Sequence, residues 1–151
     1  MKKAIPDIDP FSKEALDIEI NIEDKIGFAV SFCLESYIKK VILEKNIKTG
    51  HFEFNFISNK TIVEINKKHL QREYQTDIIS FNIGSTTHII GDVYISVEQA
   101  QTNATEFDNN FEEEIKLLII HGILHLLDYR DYTEAEQEIM EKEQARILKL
   151  I

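Results

Sequence analysis

The amino-acid sequence predicts a single α+β domain, α/β-like, in which a mixed four-stranded sheet packs with about five helices. Three observations predict this fold and a metal site on a buried helix. The chain has 151 residues, within the usual size of one domain. Four short segments have the apolar pattern of strands, and most of the remaining chain has helical spacing. One helical segment is apolar on all sides, which indicates burial, yet it contains two histidines.

The first elements follow from changes in periodicity. Residues 1–15 contain two prolines and little periodicity, which predicts a loose N-terminal arm, so the domain is expected to span residues 16–151. Strict alternation of apolar and polar residues over 16–22 predicts the first strand. The pattern is helical over 24–46, and alternating phenylalanines over 52–56 predict the second strand.

The middle of the chain alternates between helical and extended patterns. Ser58 is expected to cap a short helix over 60–69. Residues 70–75 are polar and irregular, which predicts an exposed connection. Two further strands are predicted over 77–81 and 89–95, and a short loop joins them.

Three helices are predicted after the last strand. The first spans about 96–107, and the second begins after Asn110, whose side chain suits a helix N-cap. Thr133 and Glu136 form the spacing of a capping box, so the third helix is expected to begin there and to run to Leu150.

Charge restricts the ways in which this chain can meet nucleic acid. The net charge is −10; residues 1–80 hold 12 basic and 13 acidic residues, whereas residues 81–151 hold 5 and 14. An acidic protein binds nucleic acid poorly without a local basic patch or a bound cation. We therefore expect the acidic half to face away from any nucleic acid.

The chain has the features of a cytoplasmic protein. No segment approaches the roughly 18 apolar residues of a membrane span. The N-terminus has no apolar stretch of the kind found in signal peptides. A single cysteine, Cys33, has no disulfide partner within the chain, and its apolar surroundings predict a core residue in a reducing compartment.

His121 and His125 predict a metal site. Four residues apart on a helix, they lie on one face one turn apart. Asp131 follows six residues later, so the three match the relative spacing 1, 5, 11 of the metzincin pattern H-E-x-x-H-x-x-G-x-x-H. Two histidines and one carboxylate are an established zinc donor set, and we expect one Zn²⁺ per chain. The alternative is that both are core histidines bonded to carbonyl groups.

Gly122 follows the first histidine, where a zincin peptidase needs a glutamate as general base. The glycine argues against a peptidase of that type. Because glycine costs about 1 kcal/mol relative to alanine inside a helix, we expect that something approaches the backbone closely there, or that another element packs against it.

The most basic segment of the chain precedes the third predicted strand. Lys67, Lys68 and Arg72 lie near Tyr74, and basic residues beside an aromatic suit single-stranded RNA. The alternative is a solvated helix face. A general base is unknown from sequence; the candidates are Asp77 and Asp92.

Four sequence blocks resemble the YbeY family of bacterial endoribonucleases, also called rRNA maturation factors. The family hallmark H-G-x-L-H-L-x-G-Y-D-H stands here as HGILHLLDYRD, and a second block stands as NKKHLQREYQTDIISF. The third is GDVYIS and the fourth is MEKEQ, in which the second glutamate of the family's M-E-x-x-E comes one position early.

The resemblance implies a zinc ion bound by three side chains of the hallmark. It implies single-strand-specific cleavage of RNA, 16S rRNA 3′-end maturation and ribosome quality control, with ribosomal RNA and the ribosome or small-subunit proteins as partners. It also implies a mixed four-stranded sheet.

Three positions depart from the family pattern. Asp131 replaces the third hallmark histidine, and Asp128 replaces a glycine at which we expect a positive φ. Leu70 stands where the family has an arginine, so that arginine's role does not transfer. Two alternatives to a nuclease follow: a non-catalytic zinc-containing ribosome-assembly factor, or a metal-dependent hydrolase of another substrate, such as a peptide.

Overall fold

The computed structural model describes residues 17–70 and 76–151, except for the side chain of Leu70. The predicted arm over 1–15 and residues 71–75 of the predicted connection lie outside the described residues. The strands are β1 (Asp17–Asp24), β2 (Thr49–Ile57), β3 (Ile78–Asn82) and β4 (Ile89–Ser96). The helices are α1 (Leu34–Glu44), α2 (Asn59–Leu70), α3 (Val97–Glu106), α4 (Phe111–Leu126) and α5 (Glu134–Leu150).

The four strands form one mixed sheet in the order β1-β2-β4-β3. Strands β1, β2 and β4 are parallel, and β3 pairs antiparallel with β4. A short loop joins β3 to β4, which permits an antiparallel hairpin, whereas a parallel pair needs a longer crossover. The predicted mixed four-stranded sheet and the five helices are confirmed.

The main core lies between one face of the sheet and helices α1, α4 and α5. Phe52, Phe54 and Phe56 alternate toward this face from β2 and are fully buried. Eight of the 16 residues of helix α4 are buried, all of them between Ile115 and Leu126, as the apolar sequence around its two histidines predicts. On the other face, Ile62 of α2 packs against Ile57 and Ile79. Among the described helices, none is both long and apolar enough to cross a membrane.

Two predictions in the first helical segment are wrong. The helix expected over 24–46 begins only at Leu34. The preceding chain turns instead, because the Asp24 carboxylate accepts the Gly27 N–H at 2.8 Å and Gly27 has a φ of 80°. Cys33 is consequently the exposed N-cap residue of α1, not a core residue.

The predicted helix starts are confirmed by their capping contacts. Ser58 accepts the N–H of Thr61 at 3.1 Å at the start of α2. Asn110 accepts backbone N–H groups at the start of α4. At the start of α5, Thr133 and Glu136 form both hydrogen bonds of the capping box. The Thr133 cap fixes where α5 begins, and therefore one end of the turn that follows α4.

Candidate metal centre

The end of helix α4 returns the chain toward its own two histidines. Tyr129 N–H donates to the carbonyl of Leu124 at 3.0 Å, and Asp128 N–H donates to that of His125 at 2.9 Å. These are the two hydrogen bonds of a Schellman motif, which places the residue after the C-cap in the left-handed region. Asp128 has a φ of 71°, as expected at the hallmark glycine position. The turn brings Asp131 back over the helix.

Three side-chain atoms converge beyond this turn. Nε2 of His121 lies 2.8 Å from Nε2 of His125, and Oδ2 of Asp131 lies 3.7 Å from each of them. A triangle with these sides has a point about 2.0 Å from every corner, and zinc binds nitrogen and oxygen ligands at about 2.0–2.2 Å. The described residues contain no other such group of three histidine, cysteine or acidic side chains. The donor set therefore fits a divalent metal.

The second nitrogen of each histidine has a partner that orients the ring. Nδ1 of His125 lies 3.1 Å from the carbonyl oxygen of Tyr129, which only accepts, so Nδ1 holds the proton and Nε2 offers a lone pair. The Gln144 amide lies 2.7 Å from Nδ1 of His121. The amide atom at this distance is Nε2, which donates, so Nδ1 of His121 accepts in this orientation. With the amide turned by half a turn, its oxygen would accept from Nδ1, and Nε2 of His121 would then offer a lone pair to a metal. Such partners fix the orientation of metal-binding histidines.

The surroundings of His121 favour its neutral form. Burial lowers the pKa of His121, and the charge of His125 lowers it further, against the opposing effects of Asp77, Asp131 and Gln144. A metal binds neutral imidazole, so a lowered pKa reduces competition from protons.

A second group of side chains supports Tyr129, in the turn after α4, through hydrogen bonds. Lys45 donates to the hydroxyl of Tyr129 at 2.7 Å and to the carboxylate of Glu143 at 2.6 Å. Hydrogen bonds from Arg146, followed by that of Lys45, lower the pKa of Glu143 to about 2 despite its burial. The Tyr129 carbonyl orients His125, so Lys45, the C-cap residue of α1, and Glu143 of α5 together support the candidate metal ligands.

The three candidate ligands lie in a cleft of about 600 Å³ between the turn and the edge strand β3. The polar side chains that line it come from four parts of the chain: Asn66, Thr76, Asp77, Ser80, His121, His125, Asp128, Tyr129, Arg130, Asp131 and Tyr132. The expectation that the acidic half faces away is wrong for this cleft, because residues 121–132 form one of its walls.

The structure separates the two candidate general bases. Asp77 lines the cleft, and Asn103 donates to its Oδ2 at 3.0 Å. Asp92 does not line the cleft. Its neighbour Val93 points toward α4 and is fully buried, and successive side chains of a strand point to opposite faces. Asp92 therefore faces the other side of the sheet.

Gly122 allows α4 to pack directly on the sheet. A Cβ atom at this position would lie 2.9 Å from Cγ1 of Val93 and 3.0 Å from Cδ1 of Ile78. The expectation of close packing at this glycine is confirmed. A glutamate at this position, as in a zincin, would collide with the sheet.

The described part of the basic segment follows a residue of the cleft. Lys67 and Lys68 are exposed in the last turn of α2 and are not among the lining residues, while Arg72 lies outside the described residues. Asn66, one residue earlier, is 1% exposed and lines the cleft. Asn66 begins the second family block, but the sequence pattern alone indicates no role for it.

Comparison with known proteins decides the family. The family model described as endoribonuclease YbeY matches residues 12–151. The chain belongs to the YbeY family. The expected resemblance is thereby confirmed, and so is the expected enzyme class, since the family is one of nucleases.

Two curated relatives named endoribonuclease YbeY illustrate the similarity. One, from Parabacteroides distasonis, is 39% identical over 118 residues, which cover 78% of this chain and 83% of the relative. Another, from Flavobacterium psychrophilum, is 36% identical over 115 residues, which cover 76% of this chain and 82% of the relative. The solution structure of a Thermotoga maritima protein superposes with a TM-score of 0.64 at 28% identity, covering 87% of each chain.

Replacing Gln144 by leucine is expected to lower zinc affinity about 10–100-fold, because His121 loses the partner that orients its ring. Competition with a chromophoric chelator measures the affinity, and circular dichroism checks the fold. Gln101→Leu, an exposed change on α3, is the matched control. Equal zinc affinity for Gln144→Leu and the unaltered protein would contradict this role.

Proposed function

We propose that this YbeY-family protein is a zinc-dependent endoribonuclease that cleaves single-stranded RNA, with His121, His125 and Asp131 as the metal ligands. The convergence of their three side-chain atoms in an open cleft is the main support. The names of the relatives support RNA as the substrate. The proposed setting is the cytoplasm, in 16S rRNA 3′-end maturation and ribosome quality control, with ribosomal RNA and the ribosome or small-subunit proteins as partners.

Zinc suits this site because two imidazoles and a carboxylate are a known catalytic donor set that leaves a position open. When bound, zinc acidifies a coordinated water toward a pKa of about 7 and stabilises negative charge on a phosphate. The protein residues hold this centre in place. His125 is oriented by the Tyr129 carbonyl, and His121 is oriented by Gln144.

Asp77 is the better candidate for the general base. Its carboxylate lines the same cleft as the two histidines, and Asn103 fixes one of its oxygens. A base must come within hydrogen-bond reach of the proton that it removes, directly or through one water. Asp92 faces away from the cleft and does not meet this requirement.

Lys67 and Lys68, which follow the cleft-lining residue Asn66, are proposed to bind RNA phosphates. Arg72, which lies outside the described residues, is proposed to add a further phosphate contact. We expect about two to four phosphate contacts. A plot of the logarithm of the affinity against the logarithm of the salt concentration should then have a slope near −1.4 to −2.8. Reversing Lys67 and Lys68 to glutamate should weaken binding and flatten this slope while zinc content stays the same. Fluorescence anisotropy over a salt series measures both; an unchanged affinity and slope would instead favour recognition through a protein partner.

A non-catalytic ribosome-assembly factor is the second candidate, and Leu70 is the observation that favours it. A hydrolase of peptides is disfavoured, because the position after His121 has no room for a glutamate. Purified protein, offered short single-stranded RNA and then a peptide pool with and without chelator, separates these functions. Chelator-sensitive RNA cleavage supports the nuclease, and peptide cleavage contradicts it.

A further inference from the structure

The charged side chains of the cleft leave little attraction for a phosphate. Three carboxylates line it, Asp77, Asp128 and Asp131, against one guanidinium, Arg130. The formal charges of these four side chains sum to −2, and a divalent metal brings the sum only to zero. Without Arg130, the formal charge of the metal-loaded cleft would be −1, and only the metal would attract a phosphodiester. Among the described residues, Arg130 is the one lysine or arginine that lines the cleft.

Arg130 is available to bind an anion. Its side chain is 57% exposed, and its ion pair with Asp128 has Nε 3.6 Å from Oδ1, with the aspartate 68% exposed. A pair this open and this long is weak. Arg146 differs, because Glu44 and Glu143 hold its guanidinium at 2.8–2.9 Å. A planar guanidinium forms two parallel hydrogen bonds to a phosphate.

An exposed aromatic ring stands beside this cation. Tyr132 is 80% exposed and lines the cleft. It follows Asp131 directly, so the same turn presents a metal ligand, a cation and an aromatic face. Aromatic rings bind unpaired bases by stacking on their faces, and single-stranded nucleic acids offer such bases.

We propose that Arg130 binds a phosphate of single-stranded RNA next to the metal and that Tyr132 stacks on an adjacent base. The turn between α4 and α5 then binds the substrate as well as completing the metal site. This inference rests on the proposed nuclease function, whose substrate contacts it names.

The test compares the binding of a short fluorescein-labelled single-stranded RNA by zinc-loaded variants. Stopped-flow anisotropy records binding before cleavage accumulates. Arg130→Gln should weaken binding about fivefold to tenfold and flatten the salt slope by about 0.7, since one phosphate contact is lost. Arg130→Lys should keep most of the slope, because it keeps the charge.

A control variant with the same change of net charge distinguishes a local phosphate contact of Arg130 from an effect of the protein's total charge on RNA binding. Lys142 is 76% exposed on α5, where it pairs with Glu138 outside the cleft. Lys142→Gln should leave affinity and slope close to those of the unaltered protein. An equal effect of Lys142→Gln and Arg130→Gln would overturn the assignment, because net charge alone would then explain both.

Tyr132 is tested through its ring. Tyr132→Leu should weaken binding about fivefold or more without changing the salt slope, whereas Tyr132→Phe should bind like the unaltered protein. Equal zinc content in all variants shows that the metal site is intact.

If the unaltered protein neither binds nor cleaves RNA, the nuclease function fails. If it binds RNA and both Arg130→Gln and Tyr132→Leu match it, only this inference fails.

Discussion

A His125→Ala variant is expected to lose most of its bound zinc. The substitution removes one of three converging ligand atoms, and the remaining pair of His121 and Asp131 binds zinc far more weakly. Elemental analysis of carefully prepared protein measures the zinc content. RNA cleavage should fall with it, while circular dichroism should show a folded chain.

The control for this variant is another histidine. His88 is exposed in the loop between β3 and β4, remote in sequence from the candidate ligands. His88→Ala should therefore retain about one zinc per chain. Unchanged zinc in His125→Ala would show that the site has been assigned to the wrong residues.

Replacing Asp77 by asparagine is expected to lower kcat for RNA cleavage by about 10²–10⁴-fold, the usual contribution of a general base. The amide has nearly the same shape as the carboxylate but cannot accept the proton. Zinc content should not change, because Asp77 is not one of the three converging residues. Initial rates of cleavage at saturating RNA give kcat.

Asp92→Asn is the matched control for this experiment. It makes the same chemical change on the sheet face away from the cleft, so its kcat should stay close to that of the unaltered protein. A normal rate for Asp77→Asn, or an equal loss in both variants, would contradict the role given to Asp77.

The fold was predictable where local patterns determine structure. Alternation of apolar side chains located the strands, and the side chains of Asn110 and Thr133 located helix starts, because these signals act over a few residues. The prediction of a helix over 24–46 was wrong because it also relied on a local pattern. Its apolar residues have helical spacing, but the turn at Asp24 and Gly27 delays the helix until Leu34.

The candidate metal site was predictable because its residues are close in sequence. His121 and His125 are one helical turn apart, and a short turn returns Asp131 to them. The supporting contacts were not predictable in this way. Lys45 reaches Tyr129 across 84 positions of the chain, and only the folded chain brings these residues together.

The structure also shows which side chains line the cleft, and the sequence alone does not. The sequence offered Asp77 and Asp92 as equal candidates, and only the position of each side chain relative to α4 distinguishes them. Asn66, Arg130 and Tyr132 were likewise visible as residues but not as neighbours of one cavity. Strand pairing and helix packing determine that arrangement.

The central claim is that one zinc ion at His121, His125 and Asp131 enables RNA cleavage. Titration of zinc into metal-free protein, with the initial rate of single-stranded RNA cleavage recorded at each point, tests it most directly. We expect the rate to rise from near zero and to level off at about one equivalent of zinc, consistent with a single site. Full cleavage by the metal-free protein, or none at any zinc level, would contradict the account.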